Sequence, residues 1–156
     1  MSEWKDILLA RAKSQGMCRE NFLALERCGS KESAIVLYKR TIDWALEESY
    51  PGLDVIRQHF SDSEDCGIYV DKNFGEPKDI GDKVAVFHHC NGVIRAGLDV
   101  ERAIIPMLYL ADGSHLTVEG NGYDVIVPVY LCEGCSVVAN DGIRLKVYHI
   151  GKKVIL

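Results

Sequence analysis

"YLADGSHLTV" occupies residues 109–118 and "YLCEGCSVVA" occupies residues 130–139. The second stretch follows the first by 21 positions without a gap. Gly92, Gly113 and Gly134 extend the same spacing, each preceded by a polar residue: Asn91, Asp112 or Glu133. Ahead of each glycine stands a mostly apolar pair: Phe87 with His89, Leu108 with Leu110, Val129 with Leu131. Ile105, Ile126 and Val147 fall at the same step later in each copy.

Two architectures produce such a pattern. Each copy can be one rung of a β-solenoid, with three short strands to a turn and equivalent side chains stacked in parallel. Alternatively, Asn91-Gly92 and Asp112-Gly113 can be tight hairpin turns of an antiparallel sheet. A copy has room for about three strands of ordinary length. A meander with three strands per copy would reverse direction at each copy and put equivalent residues in different surroundings, whereas a coil keeps them equivalent. The predicted fold is therefore α+β: about four N-terminal helices, then a β-rich half forming a short β-solenoid. The alternative is an antiparallel, hairpin-built sandwich, barrel or prism. Arg95 stands where Leu116 and Val137 point inward, and Asn121-Gly122 lies 20 rather than 21 residues before Asp141-Gly142. The first copy is expected to be irregular.

Residues 1–60 read as a helical subdomain. Trp4, Ile7, Leu8 and Ala12 form a stripe at helical spacing, with Arg11 at its edge, and Gly16 stops it. Phe22, Leu23 and Leu25 mark a second helix, ended by Gly29. Ser30 is a suitable N-cap for the third, whose apolar face runs through Ala34, Leu37, Tyr38, Thr41, Ile42, Ala45 and Leu46. Pro51 ends that segment and can open a fourth short helix, since proline is tolerated in a first turn. Residues 61–83 are polar and rich in turn formers, predicting a connecting loop with one short strand at "GIYVD". Residues 84–156 are the β-repeat domain, ending in "GKKVIL", a β terminus expected either to be covered by the helical half or to join another subunit.

Composition narrows the function. Apolar residues make up 47% and charged residues 26%, enough for a core that needs no disulfide staples. A net charge of −5 opposes general nucleic-acid binding, which needs a basic footprint. The apolar run in "MSEWKDILLARAKSQG" is short and interrupted by acids, unlike a secretion signal. No apolar stretch has the length of a bilayer span. A cytoplasmic protein with six reduced cysteines is expected.

His88, His89 and Cys90 ("HHC") and Cys132 with Cys135 ("CEGC") are the candidate metal ligands. Zinc takes thiolate sulfur and imidazole nitrogen in a tetrahedral shell, and a C-x-x-C turn offers two thiolates to one ion. In a solenoid, however, Cys90, Ala111 and Cys132 would share a column. Cys90 and Cys132 would then stand two rungs, roughly 9–10 Å, apart, too far to share one zinc. The same C-x-x-C lies between strands, away from the helix start that a thioredoxin-type redox pair uses. Ser114 beside His115 is a sequence neighbour and not a triad, and His149 has no nucleophile near it in sequence. Asp62, Glu64 and Asp65 read as a polar linker. "DKNFGE" lacks the glutamate of a calcium loop, and no glycine run has the strand-to-helix setting of a phosphate loop. The expectation is a non-enzymatic protein–protein interaction or assembly module without a cofactor, binding a protein partner or itself as a homo-oligomer. The alternative is a zinc-binding module or metal-dependent enzyme built on the His/Cys group.

Overall fold

A computed structural model describes residues 2–140 and 142–151. The chain divides into two compact units, Met1–Phe60 and Ser61–Leu156.

The first unit holds five helices: α1 (Glu3–Ser14), α2 (Arg19–Glu26), α3 (Lys31–Arg40), α4 (Ile42–Glu47) and α5 (Leu53–His59). Leu8 and Ala12 of the α1 stripe are buried, as are Leu25 of α2 and Ala34, Leu37, Ile42, Ala45 and Leu46 of the third predicted segment. Ser30 caps α3 through a reciprocal capping box with Ser33, the arrangement that satisfies two end donors at once. The third segment is two helices rather than one. At Thr41 the backbone leaves helical geometry (φ −108°, ψ 22°). Its hydroxyl donates to the Leu37 carbonyl at 3.1 Å, a back-bond that bends helices. α5 starts two residues beyond Pro51, with Gly52 at its N-cap. Arg11 does not simply reach solvent. It pairs with Asp54 at 2.7 Å and donates to the Pro51 carbonyl at 2.9 Å.

The second unit is a β-solenoid of about four turns, about 21 residues apart. Every named strand pairs in parallel, in two sheets. One sheet runs β1 (Ile68–Val70), β3 (Val84–His88), β5 (Met107–Ala111), β7 (Ile126–Cys132), β9 (Arg144–Ile150). The other runs β2 (Asn73–Asp79), β4 (Asn91–Arg95), β6 (His115–Glu119), β8 (Ser136–Ala139). A rung is thus two strands, not the predicted three, joined by a tight corner and closed by a loop. Residues 61–83, expected to be a loop with one strand, hold a short 3-10 turn (Glu64–Cys66) and both strands of the first rung.

The hairpin alternative is overturned. Asn91-Gly92 is no turn; it opens β4. Gly92 has φ +113°, and a Cβ there would collide with the backbone oxygen of Phe74 in the neighbouring strand. A glycine inside a strand marks such close approach, here beside the irregularity in the β2–β4 register between Phe74 and Lys78. Asp112-Gly113 does turn the chain, with both residues left-handed (φ 55° and 74°), but it leads from one parallel sheet into the other.

The spacing is also uneven. Eighteen residues separate Ile68 from its partner Val86, and 23 separate Val86 from Tyr109. Then 21 separate Tyr109 from Tyr130, and 18 separate Tyr130 from Tyr148. The cause is countable. The corners of the first two rungs have two residues (71–72, 89–90) and those of the next two have three (112–114, 133–135). The first three closing loops hold 4, 11 and 6 residues (80–83, 96–106, 120–125). The visible repeat is therefore the pair of rungs with equal corners. Leu108 and Val129 do share a column, but the member above them is Ala85, with Phe87 above Leu110. Val147 joins Val129, whereas Ile126 pairs with Arg144, so Ile105, Ile126 and Val147 are not in register.

This shift removes the anomaly at Arg95. Gly92, not Arg95, stands beside Leu116, and Arg95 pairs with Glu119. Its guanidinium reaches Glu119 at 2.7 Å and Asp79 at 3.0 Å, an ion ladder over three rungs. Between the sheets lies a core of Tyr69, Phe87, Ile94, Leu108, Leu110, Leu116, Val118, Val127, Val129 and their neighbours. Tyr109, Tyr130 and Tyr148 stack with centroids 4.5 and 4.8 Å apart, the spacing of adjacent strands. The "GKKVIL" terminus lies, from Lys152 onward, outside the described residues.

Candidate functional site

The corners line up rung over rung and gather most of the chemistry-bearing side chains of the solenoid. A two- or three-residue corner must reverse the backbone sharply, which requires left-handed residues. Asp71, His89, Asp112, Gly113 and Gly134 take that conformation. Short polar side chains that bond locally tolerate it best.

Each corner is tied to the next. His89 Nδ1 lies 2.8 Å from Asp71 Oδ1, His88 Nδ1 lies 2.8 Å from Asp112 Oδ2, and His115 Nδ1 lies 2.6 Å from Ser136 Oγ. His88 and Ser114 are buried, at 1% and 0% exposed. Ser114 Oγ accepts from the Cys90 amide at 2.9 Å and lies 2.8 Å from the Ala111 carbonyl and 3.1 Å from that of Phe87. Its hydroxyl is therefore engaged by three backbone groups around one corner, as a buried hydroxyl requires.

The thiols are held neutral. Burial pushes Cys90 up to about 11, and its Sγ donates to the Tyr69 carbonyl at 3.4 Å. Burial, then the neighbouring Cys135 and Asp112, pushes Cys132 up to about 12. Cys135 is raised by burial and Asp112, and its amide closes the corner onto the Cys132 carbonyl at 3.1 Å. Since the thiolate is the nucleophile, these environments oppose nucleophilic use of the metal-free thiols.

The sequence-nominated ligands are thus brought to one edge but not to one point. Cys90 does not share the column of Ala111; His88 takes that place. His88 and His89 point to partners on opposite sides, Asp112 one rung later and Asp71 one rung earlier. Cys132 and Cys135 stay together beside Asp112. Among the described residues no group of three or more His, Cys, Asp and Glu side chains gathers as a metal site would require. Sequence reasoning missed Asp71, Asp112, Ser114 and Ser136 as partners. Their signal is the alignment of "DK", "HC", "DGS" and "EGC" as corners, visible once corner length is allowed to vary.

A second feature lies at the end of the coil. The column Ala85–Leu108–Val129–Val147 is 0% exposed at its first three members and 41% at the last. Val138 and Ile126, which alternate with the core-facing Val137 and Val127, are 59% and 48% exposed on the outer faces of the sheets. Among the described residues no strand lies on the far side of β9. Elsewhere, Arg95, Glu119, Gly120, Ala139 and Asn140 line an open depression, whose cation is already neutralised on both sides.

No family model, curated protein or solved structure matches this chain. Among the described residues no helix is long and apolar enough to cross a membrane.

Proposed function

We propose that this chain is a non-enzymatic protein-binding and assembly module whose binding surface is the last rung of the solenoid. The observation that carries this reading is the core column ending on exposed Val147. A repeat protein needs a capping rung to close its core, and a parallel edge offers unpaired amides and carbonyls to an added strand. The corner chemistry supports the same side of the choice: the imidazoles of His88, His89 and His115, the Ser114 hydroxyl and the Cys90 thiol bond from one rung to another.

Light scattering on wild type and Val147→Glu tests the reading. The expected outcome is a wild-type mass above the 17.4 kDa of one chain, falling to that value in the variant, with unchanged circular dichroism. A wild type that stays monomeric and retains no protein partner would overturn it. Stoichiometric zinc in the same samples would turn the reading toward the metal-binding alternative.

A further inference from the structure

The two ends of the first sheet differ. β1 is buried at all three of its residues, so that end is not an open face. β9 pairs with β7 on one side, and among the described residues no strand lies on the other. Its register with β7 is unbroken from Arg144 to Ile150, and it holds no proline. Of the devices that blunt a sheet edge it keeps only Lys146, because Arg144 is held by Asp124 at 2.7 Å. Its side chains alternate. Leu145, Val147 and His149 stand beside the core-facing Val127, Val129 and Leu131, while Lys146, Tyr148 and Ile150 face outward. On that outer face Tyr148 ends the stack that begins at Tyr109 and passes through Tyr130. Tyr109 is 3% exposed and Tyr148 38%.

We propose that β9 pairs antiparallel with β9 of a second copy of this chain, across a two-fold axis at Tyr148, to give a closed dimer. The proposal rests on the assembly reading above and names its partner and its register. With one end of the sheet buried, the open edge meets only its own like, the isologous contact that closes at two copies. Side chains alternate along a strand, so each keeps its face only where odd residues meet odd and even meet even. Two registers do this near the middle of β9, and charge decides between them. Centred on Val147, the two Lys146 ammonium groups come within two residues, roughly 7 Å along the strand. Centred on Tyr148, they stand four residues, roughly 14 Å, apart, beyond the screening length of about 8 Å at physiological salt. The second register also sets Tyr148 against Tyr148, so the stack of rings runs on through the junction, as cross-strand aromatic pairs favour. Lys146 then faces Ile150 on the outer side, and Val147 faces His149 on the core side. A contact of one strand is small, so the dimer is weak and forms as concentration rises.

The experiment uses the full chain. Sedimentation velocity up to about 1 mM should show wild type passing from 17.4 kDa toward twice that mass and stopping there. A variant carrying Lys146→Glu and Val147→Glu sets two carboxylates on the edge and should stay monomeric with unchanged circular dichroism. Cross-linking under mild oxidation, read by peptide mass spectrometry, reports the register. A residue on the two-fold axis meets itself, so Tyr148→Cys should link to itself in clear excess over Val147→Cys. A mixture of Lys146→Cys and Ile150→Cys keeps the tyrosine ring and should link position 146 to position 150. Growth past two chains, or links that centre on Val147, would overturn the two-fold at Tyr148 and leave the assembly reading standing. A monomeric wild type that dimerises once Val154→Asp and Ile155→Asp are introduced would make residues 152–156 the occupant of the edge and overturn the second copy. A wild type that is monomeric but retains another protein partner would overturn the dimer alone; one that is monomeric and partnerless would overturn both readings.

Discussion

Two glycines show how one residue type meets different physical demands. Gly92 has both a left-handed backbone and another strand's backbone against it, while Gly113 has only the backbone conformation and open space around it. Alanine at Gly92 must displace Phe74 as well as accept the strain, and is expected to cost about 2–4 kcal/mol. Alanine at Gly113 should cost about 1–2 kcal/mol. Urea unfolding of the two variants checks this, and equal losses would contradict the close-approach argument. The thiols give a pH dependence. Cys90 and Cys132 have folded values raised to about 11 and about 12, above the roughly 8.5 of an unfolded cysteine. Their neutral forms favour the native state fully below about pH 8.5, and that stability is lost as pH rises through the folded values. At pH 8, iodoacetamide should modify exposed Cys18 well before Cys90 or Cys132, as read by peptide mass spectrometry. Fast loss of Cys132 would mean that its corner opens.

At the scale of elements, stacking governs what can be seen and what will move. β3 and β5 have four of five residues buried, while β8 and β9 have none fully buried. Amide exchange should therefore be slowest in β3 and β5 and fastest, among the strands named here, in β8 and β9. Exchange mass spectrometry of the dilute Lys146→Glu, Val147→Glu variant reads this directly; equal protection across the coil would contradict it. The coil itself was legible in the sequence because the columns Leu108–Val129 and Leu110–Leu131 need like residues. The parallel stacking of Tyr109 and Tyr130 follows from the same copies. The number of strands per rung was not legible: a corner of two or three residues leaves no composition change for the eye to find. The displaced first copy was hidden for the same reason, since one extra corner residue and a longer loop move every later partner. That shift put His88 where Cys90 was expected beside Ala111, and so split the predicted ligand set. The helix break at Thr41 was invisible because its apolar face continues unbroken from Leu37 to Ile42.

At the scale of the molecule, the order of parts, helices first and coil second, follows from the change in periodicity near residue 61. The candidate site was half legible. The histidines and cysteines were singled out as unusual, but their carboxylate and hydroxyl partners sit a full rung away in sequence and pair only through the fold. The exposure of Val147 could not be read at all, because exposure of a core-type valine depends on what stacks beside it, and among the described residues no strand lies beyond β9. The closing loops run from four to eleven residues while both ladders stay in step, so the loop side absorbs differences in length that the corner side cannot. Insertions or deletions there leave every facing pair intact, which makes that flank the natural place for such a chain to diversify, and for an engineer to graft a foreign segment.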